Sequence, residues 1–157
     1  MKKAIFSTVL LGAFSLFGGT ADAAIVSGTI CRGMFPTDQV RYLANEAINI
    51  GSNTATLFCP MVNTINVGSS IEFKFLVLDT SVTNNIECQG DTHDSTGATI
   101  AISGPVTTSG FSSTPMAITG TTPVQGLSTY DYMASCKVPP LASCVSPGCS
   151  VKRIDLF

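Results

Sequence analysis

The sequence has 157 residues, 45% hydrophobic and 11% charged, with six cysteines, one histidine and no tryptophan. That length excludes a multidomain enzyme, since one domain takes about 100 to 200 residues. A net charge of -2 offers no basic stripe for phosphates, which excludes a nucleic-acid partner, and high hydrophobicity with so little charge excludes disorder.

Met1, Lys2 and Lys3 make a short positive start, followed by an apolar run of 14 residues from Ala4 to Phe17 and the small-residue stretch Ala21-Asp22-Ala23. This is the layout of a secretory signal peptide, with cleavage expected after Ala23. The run is shorter than the roughly 20 residues a membrane-spanning helix needs. Gly28-Thr29-Ile30 before Cys31 lacks a lipoprotein processing pattern, so lipid anchoring there is not expected. Loss of Lys2, Lys3 and Asp22 moves the net charge to -3. The expected mature domain, residues 24–157, has no later stretch of spanning length and keeps all six cysteines, an even number that an oxidising compartment normally pairs.

Along the mature chain, Thr, Ser, Val, Ile and Gly dominate and helical periodicity is almost absent, which predicts strands broken by turns. Candidate strands are Ile25 to Cys31, Glu46 to Ile50, Thr54 to Val62, Ser70 to Asp79, Asn85 to Gln89, Ala98 to Ser103, Met116 to Thr119, Ser128 to Val138 and Ser150 to Leu156. In the clearest, Ile71, Phe73, Phe75 and Val77 share one face, and the other passes from Glu72 and Lys74 to Leu76 and Leu78. That strand should run from a rim into the centre of a sheet. The segment Asn66 to Ser69 before it reads as a turn. In Ser128 to Val138, Tyr130, Tyr132, Ala134, Cys136 and Val138 face inward, opposite Asp131, Ser135 and Lys137. Asp38 to Ala47 has room for one helical turn. Gly104 to Leu127, rich in Ser, Thr, Pro and Gly and almost uncharged, reads as an irregular connection or a hairpin with long turns, a surface that suits a polysaccharide or a protein. The expected fold is all-β: a disulfide-stabilised antiparallel β-sandwich of about eight short strands with little or no helix.

Spacing ranks the cysteine pairings. Cys144 and Cys149 flank a Pro-Gly turn and form the most local pair, leaving Cys31 with Cys59 and Cys88 with Cys136 as sequential partners. Each of these longer loops is worth roughly 3 to 4 kcal/mol by chain entropy. A zinc site wants two close cysteine pairs, and only one close pair is present.

Catalytic motifs are thin. His93 is the only histidine, within Asp91-Thr92-His93-Asp94-Ser95, and neither a G-x-S-x-G elbow nor H-E-x-x-H occurs. This loop reads first as a solvated turn. The alternatives are a small secreted hydrolase or effector using His93, or a weak divalent-cation site from Asp91 and Asp94 helped by Asp79, although a hard cation needs six to eight oxygens. Nothing in the spacing selects a catalytic pair from Glu46, Glu72 and Glu87. Without tryptophan, a sugar-stacking ring would come from Phe35, Tyr42, Phe111, Tyr130 or Tyr132, and Phe111, among glycine and serines, is the one expected at the surface. Candidate contact residues are therefore Phe111, Asp91, His93 and Asp94. The Cys144 to Cys149 loop is the only local candidate for a protease-inhibitor loop.

The order Cys31, Tyr42, Ala47 to Pro60, a long strand ending at Asp79, Ile86-x-Cys88 and Tyr132-x-x-x-Cys136 before Pro139-Pro140 resembles a group of small secreted bacterial β-rich proteins of unassigned activity, with a four-cysteine, Cys-Pro pattern. The resemblance covers nearly the whole mature chain, implies the same two long-range disulfides and brings no catalytic residues. Cys144 and Cys149 are an addition to it. The start IVSGTIC is also similar to pilin-like, adhesive sandwich subunits, from which the short charged end Val151 to Phe157 departs. Together these readings predict an exported non-catalytic binding or surface-structural module, extracellular or periplasmic, with no cofactor or metal. Its partner would be a protein or polysaccharide at or outside the cell surface.

Overall fold

The computed structural model describes residues 24–61, 70–123 and 131–157; the expected leader, the turn read at 66–69 and Tyr130 lie outside the described residues. One sheet holds β1 (Ala24–Ser27), β3 (Val40–Leu43), β4 (Glu46–Asn49), β6 (Ser70–Leu78), β10 (Met116–Pro123) and β12 (Ser150–Leu156), in the order β10-β6-β12-β4-β3 with β1 also on β12. The second holds β2 (Arg32–Gly33), β5 (Ala55–Met61), β7 (Glu87–His93), β8 (Thr99–Ile102), β9 (Val106–Thr107) and β11 (Asp131–Val138), in the order β2-β5-β11-β7-β8 with β9 also on β7. All described pairings are antiparallel, and the two sheets form a β-sandwich.

Alternation accounts for the layers. On β6, Ile71, Phe73, Phe75 and Val77 are fully buried while Glu72 is exposed. On β11, Tyr132, Ala134, Cys136 and Val138 are buried, and on β5 so are Ala55, Leu57, Cys59 and Met61. These inward faces make one core, in which each fully buried Leu, Ile, Val or Phe contributes about 1.5 to 3 kcal/mol. β6 lies between β10 and β12, as expected of a strand that turns apolar on both faces.

Twelve strands, rather than about eight, are found among the described residues, because β2, β3 and β9 are two- to four-residue edge pieces too short to show a period. The helical turn expected within Asp38 to Ala47 is instead a β-hairpin, with Leu43 opposite Glu46 and Ala44 turning the chain at φ 49°. Cross-strand pairing, invisible in a ten-residue window, overrides the local reading. The stretch from Gly104 contains β9 and β10, and β10 runs to Pro123 rather than stopping at Thr119. Helix among the described residues is confined to single 3-10 turns at Gly28–Ile30 and Leu141–Ser143, and none is long and apolar enough to cross a membrane.

Disulfides join Cys31 to Cys59, Cys88 to Cys136 and Cys144 to Cys149. The first two staple neighbouring strands of the second sheet from its inner side; Cys88 stands directly opposite Cys136 in the β7–β11 register. The third closes the turn that leads into β12.

Candidate functional site

With Cys88, Gly90 and Thr92 of β7 facing the core, Glu87, Gln89 and Asp91 face outward, and the largely buried His93 ends the same row. The register places them beside β11 and β5 in rows: Glu87 with Lys137 and Thr56, Gln89 with Ser135 and Phe58, Asp91 with Met133 and Pro60, and His93 with Asp131. A groove of about 410 Å³ runs over this grid. Phe58, Met34 and Met133 supply apolar surface, and Gln89, Asp91, His93, Thr99, Ser135 and the Glu87–Lys137 pair supply polar groups. A few directed polar groups on an apolar floor are the usual composition of a ligand site.

The polar groups are unevenly partnered. At one end Lys137 Nζ sits 2.6 Å from Glu87 Oε1. In the middle, Gln89 Nε2 donates to Asp91 Oδ1 at 3.2 Å and lies 3.5 Å from Oδ2. Burial pushes the Asp91 carboxyl up from its ordinary value, and the Gln89 hydrogen bond and the nearby His93 ring pull it only part of the way back. This carboxylate has spare acceptor capacity, its one hydrogen-bond donor being the neutral Gln89 amide.

At the other end, His93 is held by the turn that follows it. Asp94 Oδ1 accepts from Thr96 N at 2.8 Å, Thr96 Oγ1 at 2.6 Å and Ala98 N at 3.0 Å, and these bonds hold its carboxyl below the ordinary value. Gly97, at φ 84°, completes the turn and brings its carbonyl 3.1 Å from His93 Nδ1. A carbonyl can only accept, so the contact assigns a proton to Nδ1, and in the neutral ring Nε2 is then an acceptor. Nε2 is buried without a hydrogen-bond partner. A Ser-His-Asp relay needs a carboxylate on one ring nitrogen and a hydroxyl on the other. Here one nitrogen is on a backbone carbonyl and the other has neither.

Of the four contact residues read from the sequence, Asp91 and His93 line the groove, whereas Asp94 lies outside its lining and shapes the turn. Phe111 is 51% exposed in the loop before β10 and is not part of the groove lining. Asp79, weighed as a third cation ligand, is fully buried: its carboxylate accepts from Ser81 N, Ile86 N and Thr108 Oγ1, tying the loop after β6 together. Among the described residues no group of three or more His, Cys, Asp or Glu is placed to hold a metal. The three glutamates are not brought together as a catalytic pair. Glu46 bonds Lys152 and Ser150, Glu87 bonds Lys137, and Glu72 lies on β6 of the first sheet.

Sequence reasoning missed Gln89, Met133, Phe58 and Met34. Alternation shows which way each residue faces on its own strand, but only the β5-β11-β7 order shows that these residues share one surface. A second hollow of about 380 Å³ lies on the outer face of the first sheet, lined by Leu43, Glu46, Leu76, Lys152 and Arg153 among others. Its charges are already matched, Glu46 with Lys152 at 2.5 Å and Arg153 with Asp155 at 2.8 Å. The groove on the second sheet, with its unmatched acceptors, is the better candidate.

No family model and no curated protein matches the chain. Among solved structures it is similar to a family 35 carbohydrate binding module from Clostridium thermocellum, at 11% identity and a TM-score of 0.51, covering 87% of this chain and 98% of that one. The CBM36-1 domain of a multidomain xylanase from the hindgut metagenome of Trinervitermes trinervoides aligns at 10% identity and a TM-score of 0.49, covering 87% of this chain and 97% of that one. At such identities the shared feature is the β-sandwich itself.

Proposed function

We propose that the mature chain is an exported, non-catalytic binding module that lays a polysaccharide along the groove of the second sheet. The observation that carries this reading is the unmet acceptor capacity of the half-buried Asp91 carboxylate, whose single hydrogen-bond donor is the neutral Gln89 amide. An arriving donor adds a hydrogen bond there that the free protein lacks. Sugar hydroxyls are such donors, and the carbon faces of the rings suit Phe58, Met34 and Met133. The sandwich shared with a carbohydrate binding module supports the reading at the level of fold. Three disulfides agree with the export expected from the leader.

The test is electrophoresis of the mature protein through native gels containing soluble polysaccharides. Retardation by at least one of them, abolished in a Gln89→Ala/Asp91→Ala double variant that still folds, is the expected result. Retardation that the double variant retains in full would place the binding elsewhere.

A further inference from the structure

We propose that Asp91 makes this groove selective for uncharged, hydroxyl-rich chains and closes it to chains that carry carboxylates; this rests on the polysaccharide reading above.

Asp91 sits at the centre, between Gln89 and His93 on its strand and opposite Met133 on β11. The described cations of this sheet are both engaged. Lys137 Nζ is 2.6 Å from Glu87 Oε1. Arg32 lies 5.2 Å over the Tyr42 ring and donates to the carbonyls of Thr29 at 2.6 Å and Cys31 at 3.0 Å. The Gln89 amide is turned toward Asp91 itself. Asp131, opposite His93 in the register, adds a second negative charge at that end.

A uronate chain entering the groove would bring its carboxylates against Asp91 and Asp131 with no free ammonium or guanidinium to answer them. The half-buried position of Asp91 weakens solvent screening of that repulsion. A neutral sugar ring brings only hydroxyls, each able to turn its hydrogen toward Asp91 and its lone pairs toward Ser135 or Thr99. The imbalance of acceptors over free donors is thus itself a specificity device, acting as much by rejecting the wrong chain as by holding the right one.

The experiment compares the mature protein and Asp91→Asn in native gels containing xylan, a soluble β-glucan or galactomannan on one side and polygalacturonate on the other, at low and high salt. Asn keeps the size of the side chain and removes its charge. At low salt the wild type should bind at least one neutral polysaccharide ten-fold or more tightly than polygalacturonate, and Asp91→Asn should narrow that ratio at least three-fold. High salt should narrow it in the wild type as well. Tighter binding of polygalacturonate by the wild type, or a ratio unchanged by Asp91→Asn, overturns the selectivity while leaving a polysaccharide-binding groove in place. Failure of every polysaccharide to retard the protein overturns both.

Discussion

The ring of Phe73, reaching across from the first sheet, occupies the space that a side chain at Gly90 would need: a Cβ built on Gly90 would lie 2.2 Å from Phe73 Cδ2 and 2.4 Å from Cγ. Gly90 stands between Gln89 and Asp91, so this contact sets how closely the strand carrying the groove residues beds against the core. Gly90→Ala should lower stability by about 1 to 3 kcal/mol, the usual cost of overpacking, in urea denaturation. A change of less than half a kcal/mol would mean that the sheets separate more easily than the contact implies.

Burial of the Asp91 carboxyl works against stability when it is charged. Burial raises its folded pKa above the ordinary 3.8, so the native protein holds that proton more tightly than the unfolded chain does. Its contribution is therefore favourable below the ordinary value and is lost as pH rises through the folded one. Asp91→Asn should melt at a higher temperature than wild type near pH 7, with the gap closing near pH 3. A variant that melts lower at neutral pH would contradict this assignment.

The two ring nitrogens of His93 differ, Nδ1 lying on the Gly97 carbonyl and Nε2 having no hydrogen-bond partner among the described residues, and substitutions can separate them. Asn carries a donor close to the position of Nδ1 and nothing at Nε2. His93→Asn should keep stability within about 1 kcal/mol, because the bond to the Gly97 carbonyl survives, while polysaccharide retardation weakens about three- to ten-fold. His93→Ala should lose both. Full retardation by His93→Asn would remove the ring from the binding account.

The disulfides should differ in worth with the length of chain they close. Replacing Cys88 and Cys136, separated by 48 residues, should cost about 4 kcal/mol by chain entropy, and replacing Cys144 and Cys149, separated by 5, about 2 kcal/mol. Equal losses on chemical denaturation would show that packing around the sulfurs, rather than loop closure, sets their contribution.

What could be read before the structure follows from the physics of a single strand. A period of two determines which residues face inward, so the buried faces around Phe73, Cys59 and Cys136 were legible. Short edge strands such as Arg32–Gly33 and Val106–Thr107 were not, because two residues carry no period and form only against a neighbour. The same limit applies to the site. Asp91 and His93 are candidates in a stretch that reads first as a solvated turn, whereas they lie on β7 with His93 buried, and the roles of Asp94 and of the exposed Phe111 depend on where the turn and the loop are anchored. Gln89 and Met133 carry no signal of their own. They become groove residues only because β11 is inserted between β5 and β7.

The most direct test of the binding surface is an amide chemical-shift map of the isotopically labelled mature protein titrated with a mixture of xylo-, cello- and manno-oligosaccharides. The groove predicts that the largest shifts cluster on Gln89, Asp91, His93, Met133 and Ser135. Shifts confined to Leu43, Glu46, Lys152 and Arg153 on the opposite sheet, or none at millimolar sugar, would contradict it.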